Sequence, residues 1–233
     1  MTGNGNGSRP RDLEFEIARR EMVERQIRQC GIRSPRVLES MASVPRHLFV
    51  PPQLAANAYR DEPLPIGEAQ TISQPFMVAA MAEALSLEGF EKVLEVGAGS
   101  GYQAAVVSLL AREVIAVEAQ PALAATARER LARLGYSNVR IAEGDGSLGW
   151  PADAPYDAIL VTAAAPAVPP PLIEQLAEGG RLVIPVGSAK DQELLRVAKI
   201  GGKLAQQSLF ACRFVPLLGR YGWQQKSKDS SRG

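Results

Sequence analysis

One stretch limits what this chain can fold into more than any other: Val93-Leu94-Glu95-Val96-Gly97-Ala98-Gly99-Ser100-Gly101. A short run of Val and Leu suits a strand in the middle of a covered parallel sheet. Three glycines at alternate positions then let a ligand approach the backbone where side chains would block it. Strand, glycine loop and helix start in that order predict an α/β domain with a ligand cradle.

Spacing selects among ligands. In the dinucleotide fingerprint G-x-G-x-x-G the pyrophosphate sits on the helix N-terminus. Here the third glycine comes one residue early, and Tyr102 takes the fingerprint position. Glu95 stands two residues before the first glycine. A carboxylate there disfavours a pyrophosphate and suits a cation. S-adenosylmethionine carries a sulfonium and an ammonium and no phosphate. E-x-G-x-G-x-G resembles the nucleotide loop of class I S-adenosylmethionine-dependent methyltransferases, which implies that Glu95, Gly97, Ala98, Gly99, Ser100 and Gly101 contact that cofactor. A dehydrogenase, or a tight turn in another α/β protein, is the competing reading of the loop alone.

The surrounding pattern supports repeated β-α units. From 92 onward strands are expected at 92–97, 113–118, 138–142, 157–162 and 181–186, and helices at 101–111, 121–134 and 171–177. The remainder, about 193–200 and 207–217, suits a terminal β-hairpin. The fold class expected is a doubly wound, mostly parallel α/β sheet with an N-terminal helical extension. In that extension a helix runs from a cap at Asp12 to Cys30, Ser34-Pro35 opens a second through Ala42, and 75–87 forms a third. Residues 44–75 are rich in Pro and turn formers and read as irregular, and 59–76 as a segment able to move over bound ligands. The organisation expected is a disordered tail at 1–11, a helical and substrate-segment extension at 12–90, a cofactor-binding core at 91–224 and a disordered tail at 225–233.

Composition bounds the function. The 233 residues are 46% apolar, enough for one good-sized domain with an accessory segment. A net charge of +1 without a large basic block before the tail argues against a nucleic-acid partner. Cys30 and Cys212 lie far apart without metal-ligand spacing, which suits ordinary thiols and no metal. No secretory signal and no membrane-spanning run is legible, so a soluble, cytoplasmic protein is expected.

Several residues outside the loop invite chemistry. Glu118 ends the second core strand, where an acid can accept both ribose hydroxyls of a nucleoside; the alternative is a surface glutamate. Asp145, with Gly146, lies in a Gly-Asp-Gly turn after the third strand, within reach of an adenine; a plain turn is the alternative. His47, the one histidine, sits among Pro45, Phe49, Val50 and Pro51 and suits a packed loop better than catalysis. Ser73 makes a plausible N-cap for the helix beginning near Pro75. A cap alone does not explain the polar run Gln70-Thr71-Ser73-Gln74 in an apolar stretch.

That run carries the most specific resemblance. Pro65-Ile66-Gly67 followed by Gln70-Thr71-Ile72-Ser73-Gln74-Pro75 is similar to the signature of the protein-L-isoaspartate O-methyltransferases. Pro45-Arg46-His47-Leu48-Phe49-Val50-Pro51, Gly144-Asp145-Gly146, Pro155-Tyr156-Asp157-Ala158-Ile159, Ala163-Ala164-Ala165-Pro166, the block 179–187 and Arg213-Phe214-Val215-Pro216-Leu217 resemble further blocks in the family's order. The resemblance covers roughly 12–218. Phe76 and Leu218 stand where some members carry histidine and threonine, which gives the chain a bacterial character and removes any polar contact those side chains make elsewhere.

The resemblance implies methyl transfer from S-adenosyl-L-methionine to the free α-carboxylate of L-isoaspartyl residues in damaged proteins and peptides, beginning their repair through a succinimide. It also implies a monomer. Ser73 matches the serine given the family's active-site role, with Thr71 and Gln74 lining the substrate pocket. A carboxylate with pKa near ~4 is already ionised at neutral pH, so no base is needed to activate it. Ser73 is then a positioner; a serine nucleophile needs an adjacent base, and none is apparent. Competing functions are another class I methyltransferase with a small-molecule acceptor and a non-catalytic S-adenosylmethionine-binding module.

Overall fold

The computed structural model describes residues 10–224; of the disordered tails expected at 1–11 and 225–233, residues 1–9 and 225–233 lie outside them, while 10–11 belong to the first helix instead. Helix α1 spans Pro10–Glu21 and runs on as a π-helical turn, Met22–Arg28. It begins two residues before Asp12, which falls in the first turn rather than at the cap. Proline suits that start because the first helical N–H has no partner in any case. Met22 and Ile27 are fully buried, and Gly31 ends the segment at φ +116°. Helix α2, Pro35–Ser43, is capped by the Ser34 side chain, which accepts from Val37 N.

The stretch expected to be irregular holds a small antiparallel hairpin, β1 (Leu64–Gly67) and β2 (Gln70–Ile72). Its alternation is too short to show in sequence. The turn takes Gly67, Glu68 and Ala69 through positive φ, two of them with side chains, which is unusual backbone. Helix α3, Pro75–Leu85, follows and is buried along most of its length.

The main sheet contains β3 (Lys92–Val96), β4 (Glu113–Glu118), β5 (Val139–Glu143), β6 (Tyr156–Val161), β7 (Leu176–Gly187), β8 (Gln192–Ile200) and β9 (Lys203–Cys212). Their order is β5-β4-β3-β6-β7-β8-β9. The pairs from β5 to β7 are parallel; β7–β8 and β8–β9 are antiparallel. Helices α4 (Tyr102–Ser108), α5 (Pro121–Arg133) and α6 (Pro170–Gln175) connect the parallel strands. Helix α4 stops three residues earlier than its expected end at 111, and β7 begins five residues before 181.

Alternating residues of each central strand enter two cores. Val93, Val114, Ala116, Ala158 and Leu160 face α3, α4 and the N-terminal helices, while Leu94, Val96, Ile115, Val117, Ile159 and Val161 face the α6 side. Met22, Met41, Phe49 and Met81 belong to the first core, so the N-terminal extension packs on the sheet instead of forming a core of its own. The chain enters the main sheet at β3, builds outward to β5, then returns beside β3 as β6. Connections leaving β3 and β6 thus diverge, which opens a crevice at the strands' C-terminal ends.

Candidate active site

The glycine loop sits in that crevice. Gly97, Gly99 and Gly101 have φ of +96°, +53° and +85°. Gly97 N and Ala98 N both donate to Val117 O, at 2.8 and 3.2 Å. A Cβ on Gly97 would lie 2.6 Å from Thr162 Oγ1, and one on Gly99 would lie 3.3 Å from Ile66 Cδ1 of the hairpin. Gly101 has another purpose: it does not line the pocket, and a Cβ there would meet Leu131 Cδ1 at 3.1 Å. Its missing side chain lets α5 pack against the start of α4. In this structure Gly101, expected as a ligand contact, serves the packing of α5 on α4.

Glu118 lines the pocket and is nearly buried. Its Oε2 accepts from Gly99 N at 2.7 Å and its Oε1 from Gln120 N at 2.9 Å. The carboxylate thus fixes the loop, and each oxygen keeps a second lone pair. Ser100 also lines the pocket; its carbonyl accepts from Arg130 Nη1 at 2.7 Å.

Glu95 is wholly buried at the base of the pocket, and neither carboxylate oxygen has a partner among the described residues. Gln103 Oε1, also on the pocket wall, is unpartnered too. Burial first, and the nearby Glu118 carboxylate second, push Glu95 well above the ordinary carboxylate range. An unsatisfied buried acceptor is costly, and here three sit together. A ligand that brings positive charge and N–H donors satisfies them, so the residues present fit S-adenosylmethionine.

Gly146 lies on the pocket wall with no room for a side chain, since a Cβ would stand 2.6 Å from Val96 Cγ1. Asp145 is not brought into this pocket. It faces an adjoining hollow with Gln120, Leu218 and Trp223, and its carboxylate is engaged within the protein. Oδ1 accepts from Ser147 N and Ser147 Oγ at 2.9 and 2.7 Å, and Oδ2 accepts from Arg220 N at 2.8 Å. The turn geometry and the tie to the C-terminal segment account for those bonds.

A second cleft opens beside the first. Thr71, Ser73, Thr162 and Val215 line both, whereas Gln74, Met77 and Arg213 line only the second. Ser73 thus stands at the junction. Its expected alternative as an N-cap does not hold: the cap position of α3 is Gln74, which makes no side-chain cap bond. Asp61 does the work from outside, with Oδ1 accepting from Phe76 N at 3.0 Å and Oδ2 from Gln74 Nε2 at 3.3 Å. The Ser73 hydroxyl has no hydrogen-bond partner among the described residues and remains available.

Thr162 was not among the expected site residues. Its Oγ1 donates to Gly97 O at 2.6 Å and its N donates to Val96 O at 2.9 Å, stitching β3 to β6 where their connections part. Its place just after β6 mirrors that of Gly97 after β3, which is the signal that marks it. Asp61 and Gln103 carry fainter signals, the latter as a lone amide in an apolar helix. His47 lies away from both clefts. It stacks on Phe15 at 4.0 Å between ring centroids, and its Nδ1 is 2.7 Å from Tyr59 Oη.

A doubly wound sheet with this glycine cradle and acceptor-only base defines a class I S-adenosylmethionine-dependent methyltransferase. The family described as Protein-L-isoaspartate(D-aspartate) O-methyltransferase matches residues 18–222, and the chain belongs to it. A Geobacter metallireducens protein-L-isoaspartate O-methyltransferase is 56% identical over 212 residues, 91% of this chain and 98% of that one. A Trichlorobacter lovleyi relative of the same name is 55% identical over 216 residues, covering 92% and 100%. A solved protein-L-isoaspartate O-methyltransferase superposes with a TM-score of 0.78 at 30% identity, over 87% of this chain and 67% of that one. A Plasmodium falciparum structure of the same enzyme type, in complex with S-adenosyl-L-homocysteine, gives 0.73 at 26% identity, over 86% and 98%. The cofactor of this chain is S-adenosyl-L-methionine, and its reaction is O-methylation of L-isoaspartyl residues. Among the described residues no helix is long and apolar enough to cross a membrane, and no group of His, Cys, Asp and Glu suits a metal.

Proposed function

We propose that methyl transfer takes place at the wall shared by the two clefts, with Ser73 as the residue that holds the acceptor carboxylate. The carrying observation is the position of Ser73 on both cleft linings with its hydroxyl unengaged. S-adenosyl-L-methionine, when bound, supplies a methyl group activated by the sulfonium beside it. Glu95 and Gln103 receive the cationic end, Gly97, Ala98, Gly99 and Ser100 lie along the loop, and Glu118 accepts from the ribose. Gly146 leaves room at the adenine end, with Asp145 bordering the hollow beyond.

The acceptor needs no base. The α-carboxylate of an isoaspartyl residue, with pKa near ~4, is ionised at neutral pH. Ser73 donates one hydrogen bond to it and fixes the direction of the attacking oxygen, while Thr71 and Gln74 contact the adjoining peptide. Orientation of this kind is worth up to about 7–11 kcal/mol. Negative charge on the carboxylate fades as the bond forms, so a site that excludes water favours the reaction. Among the described residues no carboxylate or imidazole is hydrogen-bonded to Ser73: Glu95 and Glu118 line the cofactor pocket it borders without a bond to it, and the lone histidine is bound to Tyr59. A positioning role suits this better than a nucleophilic one.

On this reading the extension at 12–90 supplies Thr71, Ser73 and Gln74 to the acceptor groove and the core at 91–224 supplies the cofactor contacts, with Thr162, Arg213 and Val215 of the core also lining the groove. Damaged proteins carrying isoaspartate are the natural acceptors, and repair of them is the use we assign. A reducing, cytoplasmic setting suits the two free thiols, Cys30 and Cys212. A monomer without nucleic-acid partners suits a near-neutral chain.

Two peptides that differ only in one L-isoaspartyl or L-aspartyl residue, offered with labelled S-adenosylmethionine, test the assignment. Label on the isoaspartyl peptide alone is the expected result. Label on neither, with the cofactor still bound, would overturn it.

A further inference from the structure

We propose that Arg213 determines acceptor choice by pairing with a second, non-reacting carboxylate that flanks the isoaspartyl residue. The inference rests on the reading of the second cleft as the peptide groove. Besides Arg213, that groove is lined only by apolar, hydroxyl and amide groups. Its guanidinium makes no hydrogen bond or ion pair among the described residues, and Arg213 is exposed. An unpaired guanidinium is the one charge the groove presents to a peptide.

The segment carrying Arg213 is held in place. Gln192, buried at 6% exposure, binds both backbone groups of the next residue: Phe214 N donates to Gln192 Oε1 at 2.7 Å, and Gln192 Nε2 donates to Phe214 O at 3.2 Å. Phe214 also packs against the first core. The arginine therefore projects from a fixed backbone into the groove.

Position and chemistry together decide which carboxylate it reads. Arg213 lines the groove but not the cofactor pocket, whereas Ser73 and Thr162 line both. The reacting oxygen belongs at that shared wall. A guanidinium on the reacting carboxylate would also stabilise the starting anion more than a transition state in which that charge is disappearing, and so slow the reaction. A carboxylate that does not react carries no such penalty, and a planar guanidinium holds it with two parallel bonds. An extended peptide advances about 3.3 Å per residue, so the two positions on either side of the isoaspartate are the first to test. Peptides with Asp or Glu there form the favoured acceptor class.

The test uses isoaspartyl peptides with Glu, Gln or Lys placed in turn at each of the two positions on either side. For the wild type, kcat/KM falls in the order Glu, Gln, Lys at one or more positions, by about three- to tenfold across the series, through KM. The order flattens in Arg213→Gln, inverts in Arg213→Glu, and narrows at high salt. Both variants keep wild-type cofactor affinity. A flat series in the wild type, or an order that survives in Arg213→Gln, overturns the proposal while leaving the groove assignment intact. Failure of the wild type to methylate any of these peptides overturns the groove assignment and this inference with it.

Discussion

In the glycine-loop pocket nearly every group that shapes the ligand site is already fixed by the protein. Glu118 holds Gly99 and Gln120, Val117 O holds Gly97 and Ala98, and Thr162 locks the loop to the neighbouring strand. In the groove beside it the Ser73 hydroxyl and the Arg213 guanidinium have no protein partner among the described residues. The pocket takes one invariant molecule and is preorganised for it, leaving unmet only the acceptors that a cation satisfies. On the proposed reading the groove takes peptides of many sequences and leaves the Ser73 hydroxyl and the Arg213 guanidinium to them. Rigid recognition and permissive recognition thus meet at one wall, four residues wide.

The contrast predicts that the pocket is brittle and the groove tolerant. Gly97→Ala is the harshest test. Its φ of +96° is strained for any side chain, at about 1–3 kcal/mol. The new Cβ would also stand 2.6 Å from Thr162 Oγ1, which its own bond to Gly97 O prevents from moving away. The loop must shift, and a cofactor Kd raised by about 100-fold or more is expected by calorimetry. Gly135→Ala is the control, with φ +82° and nothing within 4 Å. It carries the backbone strain alone and leaves cofactor affinity intact. Equal losses in the two variants would mean that general destabilisation, not pocket shape, is being read.

Ser73→Ala comes next. Removing one hydrogen bond to a charged group costs about 1.5–3 kcal/mol, or roughly 10–100-fold in kcat/KM. Because Ser73 caps nothing in α3, melting temperature and cofactor Kd should hold at wild-type values. A folded variant with unchanged kinetics would remove Ser73 from the site and leave Thr162 as the candidate at the shared wall.

The same contrast explains what could be read from the amino-acid order. The pocket is legible because Glu95 to Ser100 are contiguous, and Glu118 and Gly146 follow the next two strands at regular β-α spacing. Periodicity alone places those strands and most helices. The groove is assembled from 63–77, Thr162 and 213–215, brought together only by the fold. Ser73 and its neighbours are legible through family resemblance; Arg213 falls in a resembling block that gives it no role, and Asp61 carries only a faint signal. The hairpin at Leu64–Ile72 escapes notice because its strands have four and three residues. Gly101 and Asp145 show what a motif leaves open: it fixes where a residue falls along the chain, but not which neighbours its side chain or missing side chain meets.

Glu95 tests how far preorganisation goes. Burial and the Glu118 carboxylate raise it well above the ordinary 4.5, so the folded, cofactor-free protein holds this proton to a higher pH than an ordinary glutamate does. That contribution to stability is full below about pH 4.5 and is lost as pH rises through the raised folded value. A cationic ligand opposes that hold and expels the proton. Cofactor affinity should therefore rise with pH, by up to about tenfold per unit, until Glu95 ionises unaided. Calorimetry in buffers of different ionisation enthalpy should count up to one proton released. In Glu95→Gln that release disappears. The cofactor-free variant should also melt above the wild type at neutral pH or higher, with the gap closing toward acid. An identical proton count in the variant would assign the linkage to another group.

Asp61→Ala should have the smallest effect and separates the two clefts most cleanly. Asp61 caps α3 from a distant loop and restrains Gln74, yet it lines neither cleft. Losing a cap costs about 1 kcal/mol, and for a chain of this size that is about 2–4 °C in melting temperature. With the start of α3 loosened, Ser73 and Gln74 are held less well, so KM for the peptide should rise a few-fold. Gly97 to Ser100 are held by β4 and Thr162, so cofactor Kd should stay where it is. Asp61→Asn keeps an oxygen acceptor for Phe76 N and should restore most of both losses. If cofactor affinity falls in step with KM, the two clefts form one mechanical unit, and the division between a rigid pocket and a tolerant groove is wrong.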